Sequence, residues 1–351
     1  MVTWVQAAFV ENPPALLPLM GRRSVSSLVS KDTNGDVMKI FIAGASGAIG
    51  GQLIPQLVAR GHQVVGTTRS AAKTGPLCAL GAEPVIVDAL DPDSVADAVA
   101  KAEPEVIVHQ ATALSGPVTF RNVKRGVATT NRLRSEGTDN LLAAGRAVGV
   151  RKVLAQSNYA MLERTGGPVV DETARIEPNP PKGVKEGAEA LRHLEEAVTG
   201  ITWADGIALR YGGFYGPGTG IEAAPGAVMA ELIRKRRAPI VGGGGGVWSM
   251  VHITDAASAT VAAIECGKPG IYHVADDEPA PVREVLLELA RVLGAKPPRR
   301  VPAWPVRLVV GKGPVDIMTQ AVGISSEKAK RELGWAPRYP SWRIGFLEGL
   351  R

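Results

Sequence analysis

The segment Gly44-Ala45-Ser46-Gly47-Ala48-Ile49-Gly50 constrains this chain most, because it stands between an apolar run and a helical pattern. The run Lys39-Ile40-Phe41-Ile42-Ala43 reads as a buried strand; the residues after the loop, to about Arg60, read as a helix loosened by Pro55. Three glycines placed there have separate physical duties. Gly44 permits the tight turn, Gly47 lets the backbone approach an anion, and Gly50 lets the helix pack closely on the strand. The helix N-terminus adds unpaired N–H groups and positive potential. This arrangement predicts a dinucleotide site whose pyrophosphate meets Gly44, Ser46, Gly47, Ala48, Ile49 and Gly50.

Strand-like and helix-like segments then alternate. Strands are expected at 63–67, 84–87, 105–109, 152–156 and 206–209, with helices at 71–80, 92–101 and 135–148. Near-continuous apolar strands separated by helices mean a parallel sheet covered on both faces. The fold class is therefore α/β, a Rossmann-type doubly wound parallel sheet, occupying 38–210. Beyond Tyr211, glycine-rich loops at 212–220 and 242–246 break the rhythm. Residues 211–351 are expected to form mainly a smaller C-terminal substrate-binding lobe, interleaved with the first domain and closing over the strand ends. Residues 1–37 sustain no period and read as a disordered tail or an over-extended start.

The end of the second strand selects the cofactor. An NAD site normally places a carboxylate there to hold the ribose hydroxyls. No Asp or Glu occurs between Asp36 and Glu83; the strand ends Thr67-Thr68-Arg69-Ser70, with Lys73 following. Arg69, Ser70 and Lys73 suit a 2′-phosphate, so NADP, as NADPH, is expected over NAD. Asp88 and Ala89 follow the third strand, where Asp88 either meets the adenine or caps the next helix. Gln110, Ala111 and Thr112 end the fourth strand along the dinucleotide path, beside a packed His109.

Bulk properties exclude some classes. The net charge of +6 comes from basic residues interleaved with acids, and Arg234-Lys235-Arg236-Arg237 reads as a solvated helix end, so no nucleic-acid partner is expected. Two cysteines, neither in a cluster, suit a reducing compartment and no metal; the expected location is cytoplasmic. No apolar run has the length of a membrane span.

The glycine motif, Val106-Ile107-Val108-His109-Gln110-Ala111, Glu136-Gly137-Thr138-Asp139-Asn140-Leu141-Leu142, Leu209-Arg210-Tyr211-Gly212-Gly213-Phe214-Tyr215-Gly216-Pro217-Gly218, Val251-His252-Ile253-Thr254-Asp255 and Glu332-Leu333-Gly334-Trp335 occur in order. Together they resemble the extended short-chain dehydrogenase/reductase superfamily, in its NAD-dependent epimerase/dehydratase branch, over residues 38 to about 350. The resemblance adds Tyr211 and Gly213 to the cofactor wall and implies a homodimer.

Two departures shape the expected chemistry. Members commonly carry a Tyr and, four residues on, a Lys in the helix that should lie at 181–198; no tyrosine occurs there. Matching Glu195 to the glutamate that follows the pair puts Gly187 and Leu191 at those positions, whereas matching Glu189 puts Pro181 and Lys185 there. Nucleotide-sugar members also carry a phosphate-gripping arginine where this chain has Trp248. An unphosphorylated, apolar or aromatic small molecule is therefore the expected substrate, with Trp248 and His252 on its wall. Ser157, at the fifth strand end, Tyr159 and Tyr215 are the candidate catalytic residues. The expected function is NADPH-dependent reduction of a carbonyl or enone. The alternatives are a nucleotide-sugar epimerase or dehydratase with altered catalytic groups, and a non-catalytic dinucleotide-binding regulator.

Overall fold

The computed structural model describes residues 37–114, 120–224 and 226–350, so the expectation for the N-terminal extension lies outside the described residues, Val37 apart. Strands β1 (Lys39–Ala43), β2 (Gln63–Thr68), β3 (Glu83–Ile86), β4 (Val106–His109), β5 (Lys152–Asn158), β6 (Asp205–Tyr211) and β7 (Gly270–Val274) form one sheet. Their order is β7-β6-β5-β4-β1-β2-β3 and every pairing is parallel. The chain leaves β1 for β2 on one side and returns to β4 on the other. Such a reversal leaves a crevice at the carboxyl ends of the strands, where open α/β sheets take ligands.

Helices cover both faces. They are α1 (Ala48–Ala59), α2 (Thr74–Ala79), α3 (Pro92–Ala102), α4 (Phe120–Arg132), α5 (Thr138–Ala147) and α6 (Lys185–Thr199), followed by α7 (Val228–Arg234), which packs in a separate apolar cluster, and by α8 (Ile253–Cys266) on the sheet. After β7 come α9 (Val282–Val292), α10 (Ala303–Val310), α11 (Lys312–Gln320), α12 (Glu327–Leu333) and α13 (Trp342–Glu348). Strand alternation divides the core: Ile40, Ile42, Val108 and Leu154 face Leu53, Leu57, Ala256 and Ile264 of α1 and α8. On the other face, Phe41, Val65, Ile107 and Val153 meet Val95, Val99 and Leu141 of α3 and α5. A further apolar cluster gathers Trp248, Met250, Leu286, Trp342 and Phe346, away from the sheet.

The structure departs from the expected elements in four places. Pro55 sits inside a continuous α1 on its solvent face, where the carbonyl it leaves unpaired can be hydrated. The helix expected at 71–80 is a 3₁₀ turn (Ala71–Lys73) followed by α2. The stretch before 135 contains α4 and a π-turn (Leu133–Gly137), so α5 begins later than expected. A seventh strand, β7, pairs with β6 beyond the expected sheet. Both cysteines are exposed and unpaired, and no described helix is long and apolar enough to cross a membrane. Arg234 and Lys235 pair with Glu231 at the end of α7, as a solvated helix end should.

Candidate functional site

The carboxyl ends of β1, β2, β4, β5 and β6 surround a cleft of about 450 Å³. Its floor is the glycine loop. Gly44 has φ +84°, and a Cβ there would lie 2.6 Å from Ala111 Cα; its N–H donates to Thr67 Oγ1 at 3.0 Å. A Cβ on Gly50 would fall 1.9 Å from the Ala45 carbonyl oxygen. Glycine is required at both positions, by close approach and, at Gly44, also by backbone conformation. Gly47 is the N-cap of α1 and supplies no side-chain cap, so the first N–H groups of the helix stay free for an anion. Ser46, Ala48 and Ile49 complete this wall.

At the end of β2, Arg69, Ser70 and Lys73 line the cleft and are exposed, and neither cation forms an ion pair among the described residues. Ala89, Gln110, Ala111 and Thr112 line it from β3 and β4. Asp88 does not. Its carboxylate turns back to accept the Leu90 N–H at 3.1 Å, and Asp91, not Asp88, caps α3. His109 is buried, with Nε2 donating to the Leu133 carbonyl at 3.0 Å and Nδ1 accepting from Ala111 N–H at 3.3 Å. Burial lowers its pKa to about 4, so it stays neutral and structural.

Gln110 Nε2 donates to the Tyr211 hydroxyl at 3.4 Å, which donates to Thr260 Oγ1 at 2.6 Å, which donates to the Ala256 carbonyl at 2.7 Å. That chain orients the Gln110 amide and leaves its buried Oε1 without a partner among the described residues. A glycine floor that any Cβ would fill, a free helix N-terminus and an orphaned acceptor on the facing wall together fit a dinucleotide.

The three catalytic candidates separate. Ser157 lines the cleft, but its hydroxyl donates to Glu195 Oε1 at 2.5 Å. Glu195 also takes Arg210 Nε and Nη2 at 2.8 and 2.7 Å in a buried, bidentate pair. Tyr159 lines the cleft too; its hydroxyl accepts the Ser249 N–H at 3.1 Å, and burial pushes its pKa upward. Tyr215 does not reach the cleft. It is buried against His252 and Phe346, with ring centroids 5.2 Å from each, and its hydroxyl has no partner among the described residues.

The two substrate-wall residues also lie elsewhere. Trp248 is 2% exposed and packs in the cluster with Met250 and Trp342, because its short strand pairs with Ala280 and Pro281 and turns the indole into that core. His252 accepts the Thr254 N–H as N-cap of α8 and donates from Nε2 to the Gly349 carbonyl at 2.9 Å.

Helix α6 carries no tyrosine. Glu195 is its buried glutamate, whereas Glu189 is exposed and pairs with Lys185 at 3.6 Å. Of the two registers, the one anchored on the buried Glu195 is the one that sets Gly187 and Leu191 at the positions of the expected pair. Sequence reasoning missed Leu133, Arg134, Asn158 and Phe214, which also line the cleft. No carboxylate does so among the described residues.

The profile of the NAD dependent epimerase/dehydratase family matches residues 40–275. The chain is 42% identical to a Streptomyces 3-diazoavenalumate denitrifying reductase, over 88% of this chain and 99% of that one. It is 27% identical to the 2-alkyl-3-oxoalkanoate reductase of Stenotrophomonas maltophilia, over 90% and 98%. Among solved structures, Thermus thermophilus UDP-glucose 4-epimerase, determined in complex with NAD, superposes with TM-score 0.68 at 24% identity, covering 89% of this chain and 98% of that one. The chain therefore belongs to the NAD dependent epimerase/dehydratase family and is an NAD(P)-dependent oxidoreductase.

Proposed function

We propose that the protein is an NADPH-dependent reductase of an unphosphorylated small molecule, suited first to hydride acceptors that need no proton from the enzyme. The observation that carries the cofactor choice is the end of β2, where Arg69 and Lys73 line the cleft and, among the described residues, have no ion-pair partner and no carboxylate on the cleft wall. A guanidinium beside an ammonium attracts a 2′-phosphate, and an acidic residue that would hold a bare ribose is missing.

When bound, the nicotinamide supplies hydride. This chain's residues position the acceptor and exclude water, but they offer little acid. The Ser157 proton is committed to Glu195, and burial makes the Tyr159 phenol a weaker acid than usual. An aryl diazonium group would suit such a site. The hydride forms the new C–H bond while the C–N bond breaks, and N₂ leaves with that electron pair, so no proton enters. The relative named as a diazoavenalumate denitrifying reductase supports this reading. A second reading, reduction of a ketone or enone, is favoured by Tyr159, which lines the cleft and whose hydroxyl accepts the Ser249 N–H and so keeps its own proton to donate.

The cofactor part is tested by titrating NADPH and NADH into the wild type and Arg69→Ala. We expect NADPH to bind more tightly and the substitution to remove about tenfold to a hundredfold of that advantage, the range for one charge-assisted contact. Equal binding of NADH by the wild type would sink it. Turnover is then compared on aryl diazonium salts, ketones and enones, with enzyme-free controls, following NADPH oxidation and N₂ release. Ketone turnover that Tyr159→Phe abolishes would put the second reading first.

A further inference from the structure

At the end of helix α4, Arg132 pairs on the outside with Glu136 of the following π-turn, Nη2 to Oε2 at 2.6 Å. The π-turn itself turns Leu133, Arg134 and Gly137 inward. Arg134 is 9% exposed and lines the cleft. It forms no ion pair among the described residues, and its Nε has no hydrogen-bond partner. A buried cation with no counter-charge costs stability, and burial lowers its pKa to about 10. Such a group is explained by a ligand that supplies the missing anion.

Its place in the cleft says which anion. The preceding residue's carbonyl accepts His109 Nε2 at the end of β4, and β4 pairs there with Ala155, two residues before Ser157. The π-turn also packs on α6. There a Cβ added at Gly187 would have only Asn131 Oδ1 and Met161 Cε nearby, each at 3.8 Å. Arg134 therefore stands toward the β4–β5 side of the cleft, near the room that the absent tyrosine leaves. The dinucleotide's own anions have other hosts: the α1 N-terminus for the pyrophosphate, Arg69 and Lys73 for a 2′-phosphate. The third cation remains for the substrate.

We propose that Arg134 binds a carboxylate of the substrate, so that the reductase acts on small organic acids. This rests on the reading of the cleft as a reductase site. A carboxylate matches the guanidinium in charge and in its two-pronged geometry. A phosphate dianion would keep an uncompensated charge beside a single cation in a buried setting.

The test uses the full protein loaded with NADPH, with benzoate, benzamide and phenyl phosphate as non-reducible probes in calorimetric titration. Benzoate is expected to bind the wild type and to lose about tenfold or more in Arg134→Met, the weight of one charged contact. Benzamide should be indifferent to the substitution, and NADPH affinity should stay within about threefold, well inside the effect of one such contact. Removing an uncompensated cation should leave the melting temperature of the ligand-free protein equal or higher, whereas a structural arginine would lower it. Should Arg134→Met fail to fold, Arg134→Lys carries the test: it keeps the charge, loses the fork, and should weaken benzoate alone.

Absence of benzoate binding by the NADPH-loaded wild type would overturn the proposal, as would benzoate affinity unchanged by substitution or phenyl phosphate binding more tightly than benzoate. A large loss of NADPH affinity in Arg134→Met would assign the arginine to the cofactor instead. Failure of NADPH to bind the wild type is a separate result, and it strikes the reductase reading itself.

Discussion

A methyl group on Gly50 would overlap the Ala45 carbonyl oxygen, which is backbone and cannot swing aside as a side chain could. Gly50→Ala should therefore push α1 off β1 and cost roughly 1–3 kcal/mol or more, as overpacking does. We expect a lower melting temperature together with lost NADPH binding; Gly51→Ala, where a Cβ would meet nothing within 4 Å, is the matched control. A Gly50→Ala protein that binds NADPH normally would refute the close-packed loop. This loop was legible in the sequence because its glycines carry a backbone requirement that spacing exposes. Directions of side chains were less legible. Tyr215 and Trp248 belong to strands of three and two residues, too short for alternation to say which face is inward. Arg134 gave no signal at all, since an arginine near a helix end is ordinarily solvated, and only the π-turn brings it inside.

Helix α6 holds no tyrosine, yet a buried ion pair fixes it to the sheet. Its Glu195 reaches the sheet, taking Ser157 of β5 and Arg210 of β6, while Arg210 Nη1 donates to the Ala174 carbonyl at 2.7 Å. Breaking such a buried pair from one side leaves a stranded charge and costs about 3–5 kcal/mol. Glu195→Gln should lower stability by that order in chemical denaturation. The double variant Glu195→Gln/Arg210→Met should recover part of the loss. A single variant as stable as the wild type would show that the pair does not anchor α6. The sheet itself was readable from six apolar runs. Strand β7 was not, because 58 residues of loops and short elements separate it from β6. Helix α4 was not either: its sequence, rich in polar and β-branched residues, has little intrinsic preference, and packing on α6 holds it.

At the scale of the whole molecule, the last residues lock onto the helix that buttresses the glycine loop. Helix α8 packs along α1. Its Asp255 accepts the N–H groups of Arg338 and Tyr339, both at 2.9 Å, while its Ser258 accepts Trp335 Nε1–H at 2.9 Å. Beyond them Trp342 is fully buried, donates to the Glu278 carbonyl at 2.9 Å and lies under the Arg343 guanidinium. Trp342 and Phe346 nevertheless belong to the apolar cluster away from the sheet, and no described residue after Gly220 lines the cleft. Stability and cofactor binding should therefore come apart here. Trp342→Ala empties a large core site, at about 3–5 kcal/mol, which should lower the melting temperature by several degrees. Measured where the variant is still folded, its NADPH dissociation constant should match the wild type within about twofold, because ligand contacts and the cavity share no partners. A tenfold weaker constant in folded Trp342→Ala would mean that the C-terminal segment sets the position of α1 through α8, and the cleft would then have to be treated as one mechanical unit with the end of the chain.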